Sequence, residues 1–193
     1  TGNGTSWACA FQNLQDAINA AGSGHEVWVK AGAYLPTKDP FGNASPTNPR
    51  NKTFYLKNGV ALYGGFAGTE TMRNQRNWTN NITTLSGDIG TPGVVTDNCY
   101  HVILSVGDGN TTVLDGFTVS GGYAQNSTSL TVESLEVSPL NGGGLCNESS
   151  SPTVTNCTFS GNSATVNQGG GMFNGNNSNP TVSNCIFKTN TGF

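Results

Sequence analysis

The chain has 193 residues, of which 34% are apolar and 10% charged, and eight Lys and Arg against eleven Asp and Glu give a net charge of −3. Asn (25), Thr (24), Ser (17) and Gly (27) fill the remainder. These figures exclude a nucleic-acid binder, which needs a basic patch. They exclude a membrane-spanning helix, which needs about 18 consecutive apolar residues, a charge-rich disordered chain, and a helical bundle, because Gly, Asn and Thr are poor helix formers. An all-β protein with many turns remains, one domain in length and solubilised by neutral polar side chains.

The chain starts at Thr1 without an apolar leader, and reads as a mature or excised chain whose targeting segment is missing. Phe11, Leu14, Ala17, Ile18 and Ala21 recur at helical spacing and Gly22 follows, so a helix is predicted over 11–21. Within residues 1–25 that helix serves as an N-terminal cap, hiding the first strand edge and the core. Residues 26–122 read as irregular coils with strands at 26–29, 54–56, 60–63, 83–85, 101–105 and 113–120. Residues 36–49, rich in Pro, Asn and Gly, read as a long loop. Residues 123–140 break the pattern, and the alternation in 129–137 predicts an excursion hairpin or a strand added beside the stack. Loops this long are often functional.

From residue 141 to 193 the chain repeats itself. Asn141-Gly-Gly-Gly-Leu-Cys-Asn147 precedes Ser151-Pro-Thr-Val-Thr-Asn-Cys-Thr-Phe-Ser-Gly-Asn162. Gln168-Gly-Gly-Gly-Met-Phe-Asn174 then precedes Asn179-Pro-Thr-Val-Ser-Asn-Cys-Ile-Phe-Lys-Thr-Asn190. Pro152 and Pro180, Cys157 and Cys185, Phe159 and Phe187, and Asn162 and Asn190 are each 28 residues apart. Such a period marks a stacked repeat, and short strands between Gly/Asn turns make it a β-solenoid. Residues 112–122 read as an earlier, degenerate copy. Coils stacked at about 4.8 Å place equivalent residues above one another. Val154/Val182 and Phe159/Phe187 become inward stacks, and Asn156/Asn184 and Asn162/Asn190 become amide ladders. Cys157/Cys185 becomes a buried thiol ladder, and Gly142–Gly144 and Gly169–Gly171 become tight corners. The last unit has no polar capping repeat, so either more coils follow or another copy covers that end.

Ten Asn-x-Ser/Thr sequons occur, at Asn3, Asn43, Asn51, Asn77, Asn81, Asn110, Asn126, Asn147, Asn156 and Asn176. Composition alone gives about five, so they reflect either compositional bias or a glycosylated secreted surface. The five cysteines show no metal-ligand spacing, and His25 and His101 stand alone, so no metal centre is expected. Asp108-Gly-Asn110 faintly resembles a Ca2+ turn without the repeated Gly-Gly-x-Gly-x-Asp pattern. A polysaccharide lyase needs a carboxylate cluster for Ca2+ with a Lys or Arg base. A glycosidase needs two or three carboxylates roughly 5–9 Å apart. Asp88, Asp97, Asp108 and Asp115 are the fallback catalytic candidates, but their Gly and Asn contexts read as turns. Arg73 and Arg76 read as a ligand clamp or as a structural loop. Trp7, Trp28 and Trp78 read as sugar-stacking platforms or as core and cap.

Gly-Gly-Gly-(Leu/Met) followed by Phe159-x-x-Asn162 and Phe187-x-x-Asn190 resembles the GGA(I/L/V) and FxxN repeats of polymorphic outer-membrane-protein-type β-helices. Gly4-Thr-Ser-Trp-Ala8, Phe11-Gln-Asn-Leu-Gln-Asp-Ala17, Val27-Trp-Val-Lys-Ala-Gly-Ala-Tyr34, Leu56-Lys-Asn-Gly-Val-Ala-Leu-Tyr-Gly-Gly-Phe-Ala-Gly-Thr-Glu70 and Leu85-Ser-Gly-Asp88 resemble the start of bacterial secreted right-handed parallel β-helix proteins of the pectate-lyase-like superfamily. The resemblance covers nearly the whole chain outside 123–140. It implies an all-β, right-handed parallel β-helix of about 28 residues per regular coil with a short capping α-helix. It leaves function open, because that superfamily holds lyases, glycosidases, adhesins and structural proteins. Small residues usually stand where this chain has Cys9 and Cys99. The resemblance therefore implies a Cys9–Cys99 disulfide from cap to middle coil in an oxidising extracellular setting, with Cys146 left over. The expectation is a non-enzymatic structural or adhesive protein, extracellular or on the cell surface, without a cofactor. Its partners are other copies, met end to end in a fibre, or surface glycans, and it neither binds nucleic acid nor inserts in a membrane. The alternatives are a carbohydrate-active enzyme and a glycan-binding module of the same fold.

Overall fold

The computed structural model describes residues 2–125 and 128–192. The first helix is shorter than the spacing predicts. Asn13 caps α1 (Leu14–Ala20), its Oδ1 accepting the Gln15 and Asp16 amides, so the helix starts three residues later than expected. The first coil then carries β1 (Glu26–Lys30), β2 (Gly32–Tyr34) and β3 (Phe54–Tyr55). The second carries β4 (Ala61–Phe66), β5 (Thr83–Ser86) and β6 (Ile103–Val106). The third carries β7 (Val113–Asp115), β8 (Thr118–Ser120) and β9 (Tyr123–Ala124), then a hairpin of β10 (Leu130–Val132) and β11 (Leu135–Val137), and closes with β12 (Leu145–Glu148). The fourth carries β13 (Thr153–Thr155), β14 (Thr158–Ser160), β15 (Ser163–Ala164) and β16 (Met172–Gly175), and β17 (Thr181–Ser183) and β18 (Ile186–Lys188) follow.

Equivalent strands pair in parallel. The three main sheets are β1-β4-β7-β13-β17, β2-β5-β8-β14-β18 and β3-β6-β12-β16, so strand order within each sheet is chain order. This is an all-β parallel β-helix. Its register builds three inward columns: Val27, Leu62, Leu114, Val154 and Val182; Tyr34, Leu85, Val119, Phe159 and Phe187; and Phe54, Ile103, Leu145 and Met172. Each fully buried member contributes about 2 kcal/mol. The Phe159 and Phe187 rings stack at 4.8 Å.

Corners decide where strands break. The predicted strand over 113–120 is two strands, because Gly116 turns the chain at φ 84°. Asn156 and Asn184 occupy the same corner one and two coils later at φ 52° and 51°, where Asn tolerates the left-handed region best after Gly. β2 escapes notice because Gly32-Ala-Tyr34 lacks β-branched residues.

The 123–140 segment forms an antiparallel hairpin turned by Glu133 and Ser134, both at positive φ. It lies on the outer face of the third sheet, where Val132 and Val137 make a second small core with Leu104, Val106 and Cys146. At the N-terminal end, Leu14 and Ile18 of α1 enter the main core. The Gln15 side chain donates to the Tyr55 carbonyl (3.0 Å) and accepts its amide (2.9 Å), replacing a neighbouring strand on the β3 edge. At the other end Val182, Ile186 and Phe187 are 41%, 58% and 47% exposed.

The disulfide implied by the resemblance is not formed. All five cysteines are free: Cys9 is exposed in a short 3-10 turn, and Cys99 is fully buried against Gly87.

Candidate functional site

The four candidate aspartates occupy three corners of the coil, Asp88 and Asp97 sharing the one between β5 and β6. Asp115, at the end of β7, sits on the outer face of the first sheet. The loop between β4 and β5 folds back so that Arg76 Nη2 meets Asp115 Oδ2 at 2.5 Å, both side chains nearly buried. Asn156 Nδ2 donates to Asp115 Oδ1 at 2.7 Å. Arg76 also donates to the Gly64 and Asp115 carbonyls and lies over the Tyr63 and Trp78 rings. Arg73 pairs with Glu26 and donates to the Tyr63 hydroxyl at 3.0 Å. Both arginines fasten their loop to the sheet.

Asp108 follows β6 at the next corner. Ser105 donates to its Oδ2 at 2.5 Å, and the Ser105 hydroxyl lies 2.5 Å from that of Ser150 one coil on. Burial pushes the Asp108 carboxyl up to about 6. In the Asp108-Gly-Asn110 turn the Asp108 carboxyl faces the Ser105 hydroxyl at 2.5 Å and the Thr112 hydroxyl at 3.5 Å. Asp88 and Asp97 lie between β5 and β6. Asp88 Oδ2 accepts the Gly93 amide and Asp97 Oδ2 the Thr91 amide.

His101 is buried, and desolvation lowers it to about 4. It is therefore neutral, and Nδ1–H donates to the Gly142 carbonyl at 3.0 Å. Burial pushes the Cys157 thiol well up, and its hydrogen bond to Cys185 draws that thiol down. Asn184 donates to Asn156 at 2.5 Å and Asn162 to Asn190 at 3.0 Å. A third ladder, Asn147 to Asn174 at 2.8 Å, was legible only as the Asn that closes each Gly-Gly-Gly block. Gly144 passes so close to the next coil that a Cβ there would lie 2.4 Å from the Gly171 carbonyl oxygen.

The sequons separate by exposure. Asn3, Asn43, Asn77, Asn110 and Asn176 are exposed, Asn51, Asn81 and Asn156 half-buried, and Asn126 lies outside the described residues. Asn147, the remaining expected acceptor, is fully buried.

One broad groove, about 1020 Å³, opens at the N-terminal end between the cap and β1, lined among others by Trp7, Phe11, Trp28, Lys30 and Tyr34. Trp28 stacks on Phe66 at 4.8 Å, and Trp7 tilts against both rings. The two indole N–H groups donate to the Glu70 carbonyl and the Glu26 carboxylate. Trp78 is half-buried beneath Arg76, away from this groove.

A family model described as right-handed beta helix region matches residues 93–193, just over half of the chain. Comparison with curated proteins and with solved structures gives no match.

Proposed function

The chain belongs to the right-handed β-helix family, and from that premise we propose that it is a non-catalytic structural and adhesive shaft of an extracellular surface. The fold serves structural and carbohydrate-active proteins alike, so it does not choose between them. One observation supports the choice: each candidate carboxylate is held by its own partners, Asp115 and Asp108 at separate corners and Asp88 and Asp97 on the one β5–β6 loop. Asp115 faces Arg76 and Asn156, Asp108 faces Ser105, and Asp88 and Asp97 each hold a loop amide. Glycoside cleavage instead needs two carboxyls facing one sugar, about 5–9 Å apart.

The columns and ladders suit a stiff rod, and the neutral Asn, Ser and Thr surface suits glycan attachment at the exposed sequons. Val182 and Phe187 continue the inner columns, and Ile186 is exposed on the other face of its strand. Val182 and Phe187 suit a further coil stacked on them, from the same polypeptide or from a second copy meeting it end to end. At the opposite end α1 and Gln15 cover part of the edge, so a second copy meeting that end has only the β1 and β2 edges to stack on.

The test is incubation with a panel of neutral and acidic polysaccharides, followed by reducing-end release and by absorbance of unsaturated uronates. The reading expects no product. Depolymerisation that disappears in Asp115→Asn or Asp108→Asn overturns it.

A glycan-binding reading is favoured by the aromatic groove, since indole and phenyl faces stack on sugar rings. It predicts saturable quenching of tryptophan fluorescence by oligosaccharides, lost in Trp7→Ala.

A further inference from the structure

Between β5 and β6 the chain turns through a loop whose tip, residues 90–93, is gripped by two carboxylates. Asp88 Oδ2 accepts the Gly93 amide at 3.0 Å, and Asp97 Oδ2 accepts the Thr91 amide at 2.8 Å. The tip lies directly on Asp97: a Cβ at Gly90 would fall within 2.6 Å of its carboxyl oxygens. Asn98 follows, 4% exposed. Its Nδ2 donates to the Gly121 carbonyl at 2.7 Å. A Cβ at Gly121 would be 3.5 Å from both that Nδ2 and the Asp88 amide. The three residues thus stand on one corner loop, Asp88 and Asp97 holding its tip and Asn98 anchoring its end to the next coil.

Each keeps an oxygen that has neither solvent nor a hydrogen-bond donor: Asp88 Oδ1, Asp97 Oδ1 and Asn98 Oδ1. Among the described residues five buried side-chain atoms lack a partner, and three of them fall here. The donating bond of Asn98 Nδ2 fixes which end of its amide is bare. A bare buried oxygen is costly, and a bare carboxylate oxygen most of all. No Lys or Arg occurs in residues 87–98. Arg50, which reaches this corner, gives Nε to the Asn98 carbonyl and Nη2 to the Tyr123 carbonyl, and stacks on Tyr100 and Tyr123.

We propose that Asp88 Oδ1, Asp97 Oδ1 and Asn98 Oδ1 are the protein ligands of a hard divalent cation, Ca2+ or Mg2+. All three donors are oxygens, two of them anionic, which suits hard cations and not zinc or copper. Loop carbonyls and water complete the coordination. The ion ties the β5–β6 corner to Asn98, and through Asn98 to Gly121 of the next coil. The site is distinct from the Asp108-Gly-Asn110 turn.

The full chain, stripped with a chelator, is followed by thermal unfolding with CaCl2, with MgCl2 and with neither, and by titration calorimetry. A hundredfold excess of the ion over its Kd raises Tm by about 5–10 °C, with one ion bound per chain. Asp88→Asn and Asp97→Asn abolish the response, and Asp108→Asn keeps it. A wild-type Tm indifferent to both ions and to chelator overturns the proposal and leaves ordered water at the three oxygens. An unchanged response in the Asp88→Asn, Asp97→Asn double variant also overturns it. Calorimetry on the wild type decides the matter if the variants fail to fold.

Discussion

Two buried groups make opposite demands on pH. His101 takes its proton near 6.5 when unfolded but only near 4 when folded. Stability from this residue is complete above 6.5 and is lost as pH falls toward 4. Asp108 loses its proton near 3.8 when unfolded but near 6 when folded. Its contribution is complete below 3.8 and is lost as pH rises toward 6. Between 4 and 6 the two slopes oppose and largely cancel. Asp108→Asn should leave His101 unopposed, with urea stability falling by up to about 3 kcal/mol from pH 6.5 to 4, and a flat profile would contradict this. Arg76→Ala strands a nearly buried Asp115 and should cost about 3–5 kcal/mol in the same assay. Asp115 and Asp108 were legible as candidates, but their partners were not. Arg76 lies 39 residues from Asp115 and Ser150 lies 45 from Ser105, and only the coil register brings such residues together. The Asn98 amide gave no signal at all, since its role rests on burial.

The regular coils were legible because a 28-residue period forces equivalent residues into columns. Before residue 141 no period exists, loops of different length intervene, and corners such as Gly116 pass for strand interior. The hairpin was one of two readings of the 129–137 alternation, which could not say what its apolar side covered. Replacing residues 129–138 with a short Gly/Ser linker should uncover Leu104, Val106 and Cys146. The expected result is strong binding of a hydrophobic dye with the strand signal of circular dichroism retained, and wild-type dye binding would show that the hairpin is no cover. Asn162 is the tightest rung of its ladder. It accepts the Gly122 amide (3.0 Å) and donates to the Val119 carbonyl (2.9 Å) and to Asn190 (3.0 Å). Asn162→Ala leaves these groups unpaired in the interior and should cost about 3 kcal/mol. Asn190→Ala, on the outermost coil, should cost clearly less. Equal losses in urea unfolding would argue against the ladder as the source.

Within this chain the column has α1 packed into the core at one end and Val182 and Phe187 part-exposed on the last coil at the other. That asymmetry follows from sequence: an amphipathic helix with Leu14 and Ile18 can fill a coil, whereas the FxxN unit only builds one. Its lateral surface is neutral and studded with sequons. Peptide mapping should find sugar at sites among Asn3, Asn43, Asn77, Asn110 and Asn176 and none at Asn147, and a glycan on Asn147 would require a different third sheet. Negative-stain electron microscopy of the native material, with intact mass on the same sample, tests the structural reading most directly. The account predicts rods joined end to end, from protomers heavier than their bare polypeptide by sugar-sized increments. Discrete single particles at the bare chain mass would contradict it.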